Sequence, residues 1–213
     1  MSTAFDIEPD VDVDLVPIIR LGPEANGTIL SPEEFDAIAD WDPACRYELI
    51  RGVVIVSPIP LEGEADPNEE LGHWLRTYQE RDPKGKVLDK TLSERYVYLP
   101  DGSRRRADRV LWIGLGRRPQ QIKDMPAIVA EFVSKTKRDW RRDFIDKRRE
   151  YREAGVKEYW VIDRFRRQMT VFRGRQTLTF KEGDVYTTDL LPGFELSLAK
   201  LFAIAAEWDE SDE

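Results

Sequence analysis

Two charged side chains stand where apolar ones belong, and both are of types that handle phosphate esters. Glu131 interrupts the run Ala127-Ile128-Val129-Ala130-Glu131-Phe132-Val133, which has the length and composition of a strand buried on both faces. Lys147 fills the vacant place in a helical stripe made by Trp140, Phe144, Tyr151 and Ala154, one turn from Phe144 and from Tyr151. An unpaired carboxylate or ammonium in a core is costly or changes its protonation. A strand glutamate and a helix lysine facing one core therefore meet as a structural ion pair, or share a cation or a substrate phosphate. The sequence leaves both readings open.

A third acid, Asp108, stands at the start of the apolar stretch Val110-Leu111-Trp112-Ile113, just after Arg104-Arg105-Arg106-Ala107. A strand-start aspartate is ordinarily a turn or capping residue. Two carboxylates brought together on a sheet can also bind a hard divalent cation such as Mg2+ or Mn2+, which takes oxygen ligands and keeps several waters. With a lysine beside them, Asp108 and Glu131 supply the parts for metal-assisted phosphodiester hydrolysis. Glu48, in Arg46-Tyr47-Glu48-Leu49-Ile50, is a further carboxylate flanked by apolar residues.

Other chemistries are excluded by composition. Cys45 is the single cysteine, so neither a disulfide nor a thiolate metal cluster can form within one chain. His73 is the single histidine, which removes His-rich zinc sites and most His-dependent triads. No apolar run approaches the roughly 18 residues of a membrane-spanning helix, and the acidic N-terminus resembles no signal peptide, so a cytoplasmic protein is expected.

The net charge of −8 conceals an uneven distribution. Residues 1–40 carry ten acids and one base, and residues 207–213 carry five acids and no base. The body between them is basic, with nine bases against four acids from Lys135 to Arg152 and a second cluster at Arg104, Arg105 and Arg106. Such a surface suits nucleic-acid backbones, although a charge run is more often a solvated helix face.

The elements that must position these residues follow from periodicity. Residues 1–30 show no sustained period and read as an acidic, poorly ordered arm ahead of a single domain over 31–206, with 207–213 as an acidic tail. Ser31-Pro32-Glu33-Glu34 starts a short helix. Two strands follow, joined at Arg51-Gly52, and then a helix from about Asp66 to Glu80 with Asp66 as cap and Pro67 at its first position. Strands are expected over 87–99, 104–113 and 127–133. A basic linker and the Lys147 helix lead to Gly155 and a strand over 158–163, completing a βαβ unit. Hairpin strands over 168–172, 177–180 and 185–188 precede a last helix from about 198 to 208.

Several short motifs, taken in order, carry a resemblance. Tyr47-Glu48-Leu49-Ile50-Arg51-Gly52, Ala107-Asp108-Arg109-Val110, Val129-Ala130-Glu131-Phe132-Val133-Ser134, Asp143 to Lys147, Gly155 to Asp163 and Leu191-Pro192-Gly193-Phe194 together resemble the Uma-two family of restriction endonucleases, within the PD-(D/E)XK nuclease superfamily. The resemblance covers about residues 31–203. It implies an α/β restriction endonuclease-like core, with a mixed central β-sheet flanked by helices and C-terminal β-hairpins. It also implies an Mg2+- or Mn2+-dependent endonuclease acting on nucleic acid, with DNA the expected substrate. Asp108 and Glu131 match the metal ligands, and Glu48 matches the family's N-terminal active-site glutamate. The superfamily's lysine would stand two residues after Glu131, where this chain has Val133; Lys147 is the replacement the family implies and Lys135 the fallback. Ala107 stands in place of the superfamily's proline, and the histidine the family often carries after its Ser-Pro motif has no clear counterpart. On this reading Arg104, Arg105, Arg106, Arg138, Arg141 and Arg142 contact backbone phosphates, and two cuts in a duplex favour a homodimer. Glu131→Ala is then expected to remove cleavage without lowering stability. Val133 keeps open the alternative of a nuclease-like module that binds nucleic acid or protein without cutting.

Overall fold

The computed structural model describes residues 20–133 and 142–208. In chain order the elements are β1 (Arg20–Leu21), α1 (Pro32–Asp36), β2 (Asp40–Trp41), β3 (Cys45–Ile50), β4 (Val53–Pro58), α2 (Glu62–Arg81), β5 (Leu88–Tyr98), β6 (Arg104–Ile113) and β7 (Ile128–Phe132). A π-helical segment over Arg142–Lys147 then runs into α3 (Arg148–Glu153). The chain ends through β8 (Glu158–Asp163), β9 (Gln168–Arg173), β10 (Gln176–Lys181), β11 (Val185–Tyr186), β12 (Leu196–Ser197) and α4 (Leu198–Ala206).

Eight strands make one sheet in the order β10-β9-β8-β7-β6-β3-β4, with β5 paired to the opposite edge of β6. The β7–β8 pair is parallel and the other neighbours in this sheet are antiparallel, so the sheet is mixed. A parallel pair needs a crossover connection, and the segment from Arg142 through α3 lies within it.

β6 carries two partners on one edge. β3 meets it at Arg104 through Leu49, and β7 meets it over Arg109–Leu111. Between those contacts β3 and β7 diverge, leaving a fork at residues 105–108. Backbone N–H and C=O groups buried in such a gap need other partners, and side chains supply them. The Arg106 amide donates to Glu48 Oε1 at 2.9 Å, and the Phe132 amide donates to Asp108 Oδ2 at 2.6 Å.

Alternation along the strands places the cores. Ile128, Ala130 and Phe132 face a cluster with Leu71 and Leu75 of α2 and Leu201 and Phe202 of α4. Val129 and Val133 face the other side, with Tyr151 of α3 and Tyr159 and Val161 of β8. Glu131 shares the phase of Val129 and Val133, so it points beneath α3. Tyr47 and Leu49 of β3 face a third cluster with Phe35 and Val54, which turns Arg46 and Glu48 the opposite way, toward the fork.

Local chemistry accounts for the boundaries. Ser31 and Glu34 form a reciprocal capping box with Pro32 at the first helical position of α1. Arg51 and Gly52 both have positive φ, 50° and 81°, which a two-residue hairpin turn between Ile50 and Val53 requires.

Two expectations shift. Residues 21–30 are packed onto the domain: the Gly27 and Leu30 amides donate to the Val54 and Gly52 carbonyls, and Ala25 is buried. The body thus begins before residue 31, because Ile29 bridges Val53 at the edge of β4. Helix α2 begins at Glu62 rather than near Asp66, and Pro67 lies inside it. The earlier start buries Gly63 and Glu64, and Gly63 leaves room for the Arg164 guanidinium, whose Nη1 would lie 2.5 Å from a Cβ there.

Candidate active site at the fork of the sheet

Glu48, Asp108, Glu131 and Lys147, four residues far apart in sequence, are all buried around this fork. Extending the β6–β7 register by one residue from Arg109↔Ala130 sets Asp108 opposite Glu131. The ammonium of Lys147 reaches Glu131 Oε1 at 2.8 Å, and the Tyr151 hydroxyl donates to the same oxygen at 3.2 Å. The residue two positions after Glu131, Val133, packs in the apolar cluster under α3. The helix lysine therefore stands beside the strand glutamate where the strand itself provides only a valine. π-helical turns of the kind that ends at Lys147 are rare and concentrate at functional sites.

Glu48 lies on the α3 side of the fork. Its Oε2 is 3.5 Å from Arg105 Nη1, and Arg105 in turn makes a bidentate pair with Glu150 of α3, Nε to Oε2 at 2.7 Å and Nη2 to Oε1 at 3.1 Å. Arg105 is 2% exposed. It is a core ion-pair residue, held between Glu48 and Glu150. Its neighbours are also engaged: Arg104 donates to Asp36 and stacks 4.6 Å from the centre of the Tyr98 ring, and Arg106 pairs with Glu94 at 2.9 Å. Arg138, Arg141 and Lys135 lie outside the described residues, as does the side chain of Arg142.

Three residues at the site are ones that sequence reasoning missed. Arg46 is the first. Its Nη2 donates to Asp108 Oδ1 at 2.8 Å and its Nε lies 3.1 Å from Glu94 Oε2. Burial opposes its charge, but Asp108, Glu94 and Glu131 outweigh burial and hold its pKa above the ordinary arginine value. Glu94 is the second, carried at φ 53° in the middle of β5 opposite the Asp108 region of β6. A non-glycine residue at positive φ within a strand is backbone strain, which gathers at functional sites. Burial, with the Asp108 charge beside it, raises the Glu94 pKa despite Arg46 and Arg106. The third is Glu64 of α2, 8% exposed, whose carboxyl is pushed up to about 7 by burial and then by Asp108, against the pull of Arg164 and Arg46.

The position of Asp108 is fixed from the α2 side as well. Asn68 Nδ2 donates to the Asp108 carbonyl at 2.9 Å, while Arg109, fully buried, donates from Nε to Asn68 Oδ1 at 2.8 Å. Gly72 permits this: a Cβ there would lie 2.5 Å from two guanidinium nitrogens of Arg109. Burial lowers the Arg109 pKa to about 10.

Glu64 gives a pH signature. Its pKa is raised on folding from the ordinary 4.5, so its contribution to stability is complete below about pH 4.5 and is lost as pH rises through about 7. Thermal melts in chelator across that window are expected to show Tm falling by several degrees more in the parent than in Glu64→Gln. Equal slopes in the two proteins would count against this environment for Glu64.

A mixed sheet forked around two strand carboxylates, with a helix lysine on one of them, defines a nuclease-like core of the restriction endonuclease type. Residues 32–199 match the Uma2 family, described as "Putative restriction endonuclease", and the chain belongs to that family. The fold is also similar to a crystal structure described as a putative nuclease belonging to DUF820 from Anabaena variabilis ATCC 29413. That likeness has a TM-score of 0.66 at 17% identity, over 83% of this chain and 99% of the other. Comparison with curated proteins gives no match. Among the described residues no helix is long and apolar enough to cross a membrane.

Proposed function

We propose that the protein is a cytoplasmic, divalent-metal-dependent endonuclease that hydrolyses phosphodiester bonds in nucleic acid, with DNA as the substrate. The observation that carries this reading is the Lys147–Glu131 contact of 2.8 Å beside Asp108 in a family of nuclease description. Mg2+ or Mn2+ is the metal the family implies, and the donor set fits it. Asp108 and Glu131 are hard oxygen ligands on adjacent strands, each with one oxygen engaged by a cationic side chain, Arg46 on Asp108 and Lys147 on Glu131, with which a cation would have to compete. When bound, such a metal polarises the phosphoryl oxygen and makes water a stronger nucleophile at neutral pH.

The chain's own residues do the rest. Asp108 and Glu131 would hold the metal. Lys147, with its ammonium on Glu131 Oε1, is placed to orient the attacking water and to balance charge on the scissile phosphate. Glu48 fixes the β6 backbone through the Arg106 amide and completes the acidic cluster. Tyr151 steadies Glu131, and its hydroxyl, raised far above the usual tyrosine pKa by burial and by the Glu131 charge, stays protonated as a donor. A homodimer would place two such sites on the two strands of a duplex.

The direct test is cleavage of linear and supercoiled DNA, single-stranded DNA and RNA in Mg2+, Mn2+ and chelator, with Lys147→Ala beside the parent. Metal-dependent cleavage lost in the variant supports the reading; no cleavage by the parent on any substrate overturns it. Two observations favour a second reading, a nuclease-like module that binds without cutting. Arg46 engages Asp108, and among the described residues no group of three His, Cys, Asp or Glu side chains is spaced to hold a metal.

The two readings differ in what Arg46 does to metal affinity. If Asp108 is a ligand, a cation must compete with the guanidinium for Oδ1, and a charged hydrogen bond of this kind is worth about 1.5–3 kcal/mol. Arg46→Gln is therefore expected to bind Mn2+ about tenfold tighter than the parent by calorimetry without nucleic acid, while Asp108→Asn loses binding. Equal affinity in the parent and both variants would favour the non-cutting module.

A further inference from the structure

Beside the carboxylate cluster lies a cleft of about 540 Å3 whose lining includes Trp41, Arg46, Ile59, Glu94, Tyr98 and Gln121. Arg46 and Glu94 are its shared wall, since both also belong to the cluster around Asp108. We propose that this cleft is a nucleotide-binding subsite, which takes an unpaired nucleotide adjoining the phosphodiester held at Asp108 and Glu131. The proposal rests on the nuclease reading for the identity of the neighbouring site and goes beyond it in naming a preference for unpaired substrate.

The lining has the chemistry of a base-stacking platform. Two of its aromatic residues have their polar tips bonded to backbone carbonyls. Trp41 Nε1 donates to the Ile38 carbonyl at 3.0 Å, and the hydroxyl of Tyr96, also in the lining, donates to the Tyr47 carbonyl at 3.1 Å. What these rings offer the cleft is therefore π and apolar surface, which every base can use regardless of sequence. Ile59, 52% exposed, adds an apolar side chain at the same place. The Gln121 amide nitrogen donates to the Tyr96 carbonyl at 3.3 Å, and its oxygen keeps acceptor capacity for a base edge.

The positive charge lies where phosphate would be. Arg46 stands between the cleft and Asp108, and Arg106 lies over the Tyr96 ring at 6.0 Å, so guanidinium groups flank the path from the aromatic lining to the carboxylates. Binding sites for small ligands commonly enclose about 300–1,000 Å3. A cleft of this order receives one nucleoside and not a stretch of stacked base pairs. A base must therefore be free of its partner to enter, as it is in a single strand, a gap or a flipped position.

The test uses the full chain and three fluorescein-labelled probes in chelator: a 12-nucleotide single-stranded DNA of mixed sequence, the same sequence as a blunt duplex, and the same duplex with one unpaired nucleotide bulged at its centre. The parent is expected to bind the single strand and the bulged duplex at least tenfold tighter than the blunt duplex. Tyr98→Ala and Ile59→Asp are each expected to weaken single-strand binding at least fivefold. Ile59 is exposed, so its variant remains informative if Tyr98→Ala fails to fold. Equal affinity for the three probes, or parent-like single-strand binding by a folded Ile59→Asp, overturns the proposal. Metal-dependent cleavage of supercoiled DNA is read separately on the same proteins. Cleavage without any preference for unpaired probes sinks the subsite alone, and a preference without cleavage sinks the nuclease reading alone.

Discussion

Replacing Glu131 with glutamine is expected to slow metal-dependent cleavage by about 10²–10⁴-fold, the range that loss of a group acting in the transition state commonly costs. Glutamine retains an oxygen to accept from Lys147 Nζ but gives up the charge that would hold a cation. The choice of glutamine matters. From the sequence alone, Glu131→Ala is expected to leave stability unchanged, and the structure corrects that expectation. Lys147 is 2% exposed and 2.8 Å from Glu131 Oε1. Removing the carboxylate breaks a buried ion pair of that ammonium, at a cost of about 3–5 kcal/mol. The alanine variant would thus lose activity through unfolding as well as through chemistry. Plasmid cleavage measured beside a denaturant midpoint separates the two. A folded Glu131→Gln that cuts at the parent rate would remove Glu131 from the reaction.

Arg105→Ala is expected to lower stability by about 3–5 kcal/mol, a large share of what a domain of this size possesses. The guanidinium lies between Glu150 and Glu48, so its loss leaves two buried carboxylates facing each other across a cavity. It also removes the bidentate link between α3 and β6, and α3 directly follows Lys147. A surface phosphate contact behaves in the opposite way, with near-neutral stability and weaker, salt-sensitive nucleic-acid binding. Urea unfolding of Arg105→Ala decides between them. An unchanged midpoint together with lost affinity would restore the phosphate role.

These two residues mark what the sequence made legible. Glu131 and Lys147 could be found because each violates a strong local pattern, an apolar strand and an apolar helical stripe, and such violations in a core usually meet. The βαβ arrangement and the hairpin at Arg51-Gly52 were readable for the same reason, since period and turn chemistry are local, whereas the mixed sheet was implied by the family resemblance. The burial of Arg105 was not foreseen because a triplet of arginines reads as surface. The alternation held a signal, since Arg105 shares the phase of buried Ala107 whereas Arg104 and Arg106 take the other. Glu64 was missed because Pro67 looks like a helix start, which assigned residues 62–65 to a loop. Arg46 and Glu94 carried no local signal. One precedes a recognisable motif, the other sits in a strand of mixed polarity, and only the register of β3, β5 and β6 brings them to Asp108.

The fork in β6 has a consequence for the cohesion of the molecule. Elsewhere the sheet is stitched by backbone N–H and C=O groups, which do not ionise, but on the forked edge of β6 over residues 105–108 the contacts run through carboxylates, met by backbone amides and guanidinium groups. Cohesion there depends on the balance of charge. A divalent cation held by Asp108 and Glu131 would join β6 to β7 at the base of the fork and shift the charge balance that Arg46 and Lys147 keep there.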